Sequence, residues 1–210
     1  MLTAEQIEQN KNEFIYLLST IQIPGADIKG LVEYLLASDF FEAPASTLYH
    51  CNYAGGLCYH SLNVYKTLLD LTNLYVPGKY DKSTLIAVAL LHDISKVNFY
   101  EKTIVNKKIY NEQGSKKDNL GKYEWVAEEA YKVKPAEERF LAGSHEENSM
   151  LIASRFIPFN MEEIVAIMHH HCNSNDGNQL YDLSAILNKY PLLTLLHSAD
   201  FLSCFLKEAN

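Results

Sequence analysis

The run Ile86-Ala87-Val88-Ala89-Leu90-Leu91, followed at once by His92-Asp93, constrains this chain more than any other stretch. Six consecutive apolar residues leave no solvent-facing stripe, so a helix built from them is surrounded by core. The carboxylate at its end is then expected to lie out of water, and an unpartnered buried charge costs on the order of several kcal/mol. Two kinds of partner remove that cost. A metal cation is one. The other is a local ion pair with Lys96, which lies three residues on and shares a helical face with Asp93. The doublet alone does not choose between them.

With 210 residues the chain can bury one substantial core, and it reads as a single domain over 1–210. A net charge of −8 argues against affinity for long nucleic acid, whose phosphates demand a basic surface. A small anionic substrate is compatible with it, since a bound metal and nearby lysines reverse the field inside one cleft. Cys51, Cys58, Cys172 and Cys204 are scattered and form no CxxC pair, which fits a reducing compartment. Met1 to Lys11 has no apolar signal segment, and no apolar run reaches the length of a membrane span. The expectation is a soluble cytoplasmic protein with no membrane partner.

Periodicity predicts a helical chain. Thr3 to Ser19 is a first helix with Thr3 as cap and Gln6 completing a capping box, and Asp27 to Ser38 is a second. Asp39 to Gly56, with Pro44, Tyr49-His50 and Gly55-Gly56, is irregular and suits either a pocket wall or a packed loop. Leu57 to Leu74 is a third helix, on which His60 falls on the same stripe as Leu57, Val64, Leu68 and Leu71. Ser83 is expected to cap a fourth, running to the doublet. Residues 102–134 then read as a hairpin-like insertion carrying eight of the eighteen basic side chains, either a solvated loop or a cationic flap over an anionic substrate. Helices resume at Ser144, which caps His145 to Phe156, and at Asn160, which caps Met161 to His171. Pro191 opens a last helix, Leu192 to Leu206, with Asp200 set into its apolar stripe.

His60, His92, Asp93, His145, His170 and Asp200 thus lie on or beside five predicted helices. Each could be hydrogen-bonded separately in the core. A metal site inside a helical bundle accounts for all six at once, and mixed nitrogen and oxygen donors without thiolate suit Mn, Fe, Co, Ni or Zn, with Mg admissible. The imidazole of His60 must then come within a side-chain length of Asp93 and Asp200.

The order His60, His92-Asp93, Asp200 resembles the defining pattern of the HD-domain superfamily of metal-dependent phosphohydrolases. Ala43-Pro44-Ala45-Ser46-Thr47, Gly55-Gly56-Leu57-Cys58-Tyr59-His60-Ser61-Leu62, Leu91 to Lys96 and Gly143 to Ser149 resemble segments of small bacterial and phage members. The Gly-Gly-Leu…His run is also similar to that in the HD domain of a bacterial 3′-to-5′ exoribonuclease. The resemblance implies an all-α HD bundle, with His60, His92, Asp93 and Asp200 as ligands of one metal. His145 and His170 would serve a second metal, with Asp93 bridging. His169 and His171 flank the expected ligand without an assigned role. Cleavage of a phosphoester in a nucleotide or short oligonucleotide by metal-activated water is implied, since coordination lowers the pKa of water toward about 7. Asp93 and Lys96 would be catalytic, with Lys96 also contacting phosphate and His50 and Ser61 near the substrate or supporting the ligands. An HD-type di-iron oxygenase and a non-catalytic nucleotide-binding module are the alternatives.

Overall fold

The computed structural model describes residues 1–172 and 183–208. The chain is helical, but not purely so. Eight α-helices are described: α1 (Ala4–Ser19), α2 (Ile28–Ala37), α3 (Gly56–Tyr75), α4 (Lys82–Leu91), α5 (His145–Ala153), α6 (Met161–Met168), α7 (Leu183–Lys189) and α8 (Pro191–Leu202). Between α4 and α5 lies a three-stranded antiparallel sheet of β1 (Tyr100–Tyr110), β2 (Lys116–Asp118) and β3 (Gly121–Val133), in the order β1-β3-β2. The all-α expectation is corrected on this point.

Local chemistry explains most helix starts. Thr3 with Gln6, Ser144 with Glu147 and Asn160 with Glu163 each form reciprocal capping boxes, which satisfy two otherwise orphaned N–H groups apiece. One cap differs from expectation: Asp81, not Ser83, opens α4 by accepting from Thr84 N, and the Ser83 hydroxyl accepts from Gln22 N at 2.9 Å instead. Three helices end earlier than expected. α5 stops at Ala153 and α6 at Met168, so His169 to His171 lie in a turn. α8 gives way after Leu202 to a wider π-helical turn, Ser203–Lys207.

The core gathers around α3, which packs against α1, α4 and α8, while α6 packs against α4, α5 and α8. Every residue of α4 from Thr84 to Leu91 is buried. Each such aliphatic side chain stabilises the fold by roughly 1.5–3 kcal/mol, and together they hold the His92-Asp93 doublet inside. A single-turn 3₁₀ helix, Ile94–Lys96, follows the doublet and meets α5. Among the described residues no helix is long and apolar enough to cross a membrane.

The sheet stands apart from this core. Of its strand residues only Tyr100 is buried, with its hydroxyl donating to Ala45 O at 3.4 Å. Cross-strand acids pair with several lysines, as in Lys107–Glu128, Lys108–Asp118 and Lys132–Glu101. Those three of the eight basic side chains in residues 102–134 are thus paired with acids of the sheet region itself.

Entry into α3 depends on two glycines. Gly55 has a left-handed φ of 78°, and a Cβ on Gly56 would lie 2.1 Å from the Cys51 carbonyl oxygen. Gly56→Ala is therefore expected to cost about 1–3 kcal/mol, the usual penalty for forcing bulk into a packed site. A urea denaturation series would read this as a lowered midpoint at unchanged slope.

Candidate metal centre

His60, four residues into α3, is buried and turns its Nε2 toward the ends of α4 and α8. That atom lies 3.2 Å from Asp200 Oδ1, 3.3 Å from His92 Nε2 and 3.6 Å from Asp93 Oδ2. The side-chain-length condition on His60, Asp93 and Asp200 is met. On the other side of Asp93, Oδ1 lies 2.5 Å from His145 Nε2 and 3.7 Å from His170 Nε2. His171 Nε2 lies 3.9 Å from Asp200 Oδ2. The donors therefore fall into two groups, His60/His92/Asp200 and His145/His170/His171, and Asp93 joins His92 and His170 in a third that links them.

Each of the five histidines has its outer ring nitrogen, Nδ1, engaged. His92 Nδ1 donates to Ala89 O and His170 Nδ1 to Ile167 O, each at 2.8 Å. Carbonyls only accept, so in both rings Nδ1 carries the proton and Nε2 presents its lone pair inward. His60 Nδ1 meets Glu208 Oε2 at 3.0 Å, and His171 Nδ1 meets Glu146 Oε1 at 2.8 Å. His145 Nδ1 lies 2.7 Å from Ser95 Oγ, whose own proton goes to His145 O and which accepts from Ser149. Fixing the outer nitrogen so that the inner one faces the centre is how metal-binding histidines are oriented.

The electrostatics follow from burial and neighbours. Burial pushes His92 and His170 below the usual imidazole range, so both are neutral near pH 7. Burial would do the same to His60, but its hydrogen bonds to Asp200 and Glu208 override it and raise the ring to about 10. Burial would raise Asp93, yet Lys96, His92 and His145 hold its carboxyl well below the ordinary range. Lys96 Nζ donates to Asp93 Oδ2 at 2.6 Å, and that charge keeps the ammonium protonated despite its burial. Lys96, one of the two partners anticipated for Asp93, is thus present, and the histidines around the carboxylate are grouped so that they could hold the other, a cation.

One atom tests whether a metal fits. His170 Nε2 is fully buried and has no hydrogen-bond partner, a state that ordinarily costs about 1–3 kcal/mol. Its lone pair faces the other donors, where a cation would satisfy it. Nitrogen and carboxylate donors in this number suit a divalent transition metal.

The structure brings together His60, His92, Asp93, His145, His170, Asp200 and Lys96. His50 lies on the wall: its ring packs 4.8 Å from that of His60, and Nε2 sits 3.4 Å from Cys204 Sγ. Ser61 does not reach the cleft, being fully buried with its hydroxyl donating back to Leu57 O. His169 is the C-terminal cap of α6 and belongs to none of the donor groups. Sequence reasoning left His171 unassigned and passed over Glu146 and Glu208. A signal for Glu208 existed in the four-residue steps Asp200, Cys204, Glu208, which share one side of a continuing helix.

Across 96 residues the chain is 29% identical to a 3'-5' exoribonuclease, YhaM, of Geobacillus sp. (strain WCH70). The matched stretch is 44% of this chain and 28% of that enzyme, so the likeness spans less than a third of the relative's length. No solved structure gives a significant match. The sequence profile of the HD domain matches residues 57–200, from the first turn of α3 to the aspartate that faces His60. The converging imidazoles and carboxylates all lie within that span except His60's partner Glu208, and on this match the chain belongs to the HD domain family.

Proposed function

We propose that this chain is a metal-dependent phosphohydrolase that cleaves a phosphoester bond of a nucleotide or short oligonucleotide. The observation that carries the reading is Asp93, whose two oxygens face the two donor groups while its neighbour Lys96 stays charged beside them. His60, His92, Asp93 and Asp200 would hold one divalent ion, and His145, His170 and His171 a second, shared through Asp93. A metal held there supplies water of lowered pKa and positive charge for phosphoryl oxygens.

The remaining chemistry belongs to the side chains. Lys96 keeps a cationic ammonium at the edge of the centre, its side chain 15% exposed, where it can reach a bound phosphate as a point charge. His50, pushed down to about 4 by burial and by the charges of His60 and Lys96, is neutral and packs against His60 on the wall of the centre. The relative's name, an exoribonuclease, supports a nucleotide-type substrate. The net charge of −8 favours a small one over a long polyanion.

The test is metal analysis of freshly purified protein, followed by a phosphate-release screen over mononucleotides and short oligonucleotides with Mn, Co, Ni, Zn, Fe and Mg. Asp93→Ala is expected to abolish both metal content and phosphate release. Metal-free protein with undiminished turnover would dispose of the proposal, and oxygen consumption by anaerobically iron-loaded protein without phosphate release would favour oxygenase chemistry instead. Lys96→Met is expected to keep the metal and lower kcat by about 10²–10³, the scale on which one preorganised charge-stabilising donor acts. Parallel metal analysis and steady-state kinetics of that variant check this.

A further inference from the structure

Glu208 lies beyond the HD match and directly after Lys207, yet its side chain is fully buried beneath His60. Oε2 accepts from His60 Nδ1 at 3.0 Å and Oε1 accepts from Asn63 Nδ2 at 2.9 Å. Both partners sit on one face of α3, three residues apart. The π-helical turn brings the carboxylate there: Glu208 N donates to Ser203 O at 3.0 Å, and the buried Ser203 hydroxyl bonds to Thr67, which itself donates to Asn63 O. Such wide turns occur frequently at functional sites. A third buried carboxylate beside Asp93 and Asp200 has no packing rationale, since an apolar side chain of similar volume would stabilise a core at least as well.

We propose that Glu208 is a positioning residue of the metal centre, holding His60 Nδ1–H so that Nε2 faces His92 and Asp200, where an ion would displace the Nε2 proton and find a strengthened donor. The inference rests on the metal-binding reading of the site given above. A separate ion site is the rival, because His50, His60, Cys204 and Glu208 each place a donor atom within 4.8 Å of the others. The hydrogen bonds already in place argue against it, because both Glu208 oxygens are engaged, Oε1 by Asn63 and Oε2 by His60. The Cys204 thiol, moreover, is protonated and donates to Asp200 Oδ1 at 3.4 Å. Glu146 repeats the device on His171, so each donor group has one glutamate behind one of its histidines.

The experiment uses full-length wild type, Glu208→Gln and Glu208→Ala, stripped of metal and titrated with Co(II) by calorimetry and by visible absorption, with circular dichroism confirming the fold. Removing the partner behind a ligating histidine typically costs 10–100-fold in affinity. Glu208→Ala is expected to lose about that much, Glu208→Gln less, since its amide oxygen still accepts from Nδ1, and both should shift the cobalt absorption bands. Where the alanine variant does not fold, the glutamine variant decides. If wild type binds Co(II) and a folded variant binds it with the same affinity and spectrum, the inference fails while the metal-centre reading stands. If wild type takes up no Co(II), the metal-centre reading itself fails.

Discussion

A carboxylate with almost no water around it is the constraint to which the rest of this molecule answers. Asp93 is 2% exposed because the helix before it is apolar on every side, and withdrawing that helix to hydrate one oxygen pair would forfeit many kcal/mol of burial. The cost falls on the neighbours. Lys96 and His145 approach Asp93 at hydrogen-bond distance, His92 and His170 stand just outside it, and α3, α5, α8 and the turn after α6 each bring a side chain to the cluster or its edge. The hydrophobic force that buries α4 and the polar cluster at its end are thus one arrangement.

Within the cluster the choice of acceptor behind each imidazole sets its character. Main-chain carbonyls stand behind His92 and His170, and burial keeps those rings neutral. Carboxylates stand behind His60 and His171, and both rings are raised above the usual imidazole value against the opposing effect of burial. A carboxylate makes the ring more basic than a carbonyl does. The centre therefore pairs one strongly supported histidine with weaker ones on either side of Asp93, rather than presenting five equivalent donors.

What could be read from the sequence follows the range of the interactions involved. Helix caps act within one turn, and those of Thr3, Ser144 and Asn160 were legible for that reason. The apolar run before His92-Asp93 announced a buried acid, and four-residue periodicity placed His60 and Asp200 on buried faces. Ser83 misled because its hydroxyl is taken by Gln22, 61 residues away, a competition no local rule contains. The helix expected to continue to His171 ends at Met168, which frees the histidine run from helical periodicity and lets His170 and His171 both turn inward. Four-residue steps put Glu208 on the side of Asp200, but its contact with His60 was hidden by distance: that partner is 148 residues back along the chain, and the π-helical turn that completes the approach is not announced by residue spacing.

That separation of 148 residues sets an order on assembly. A chain growing from the ribosome at roughly 5–20 residues per second needs about 7–30 s between the appearance of His60 and that of Glu208. Through that interval α3 and α4 can pack, yet His60 has neither Asp200 nor Glu208 to meet. The nascent chain therefore lacks Asp200 and Glu208 until close to the end of that interval, and a cation held by the finished cluster would meet its full set of donors only after the surrounding body has been made.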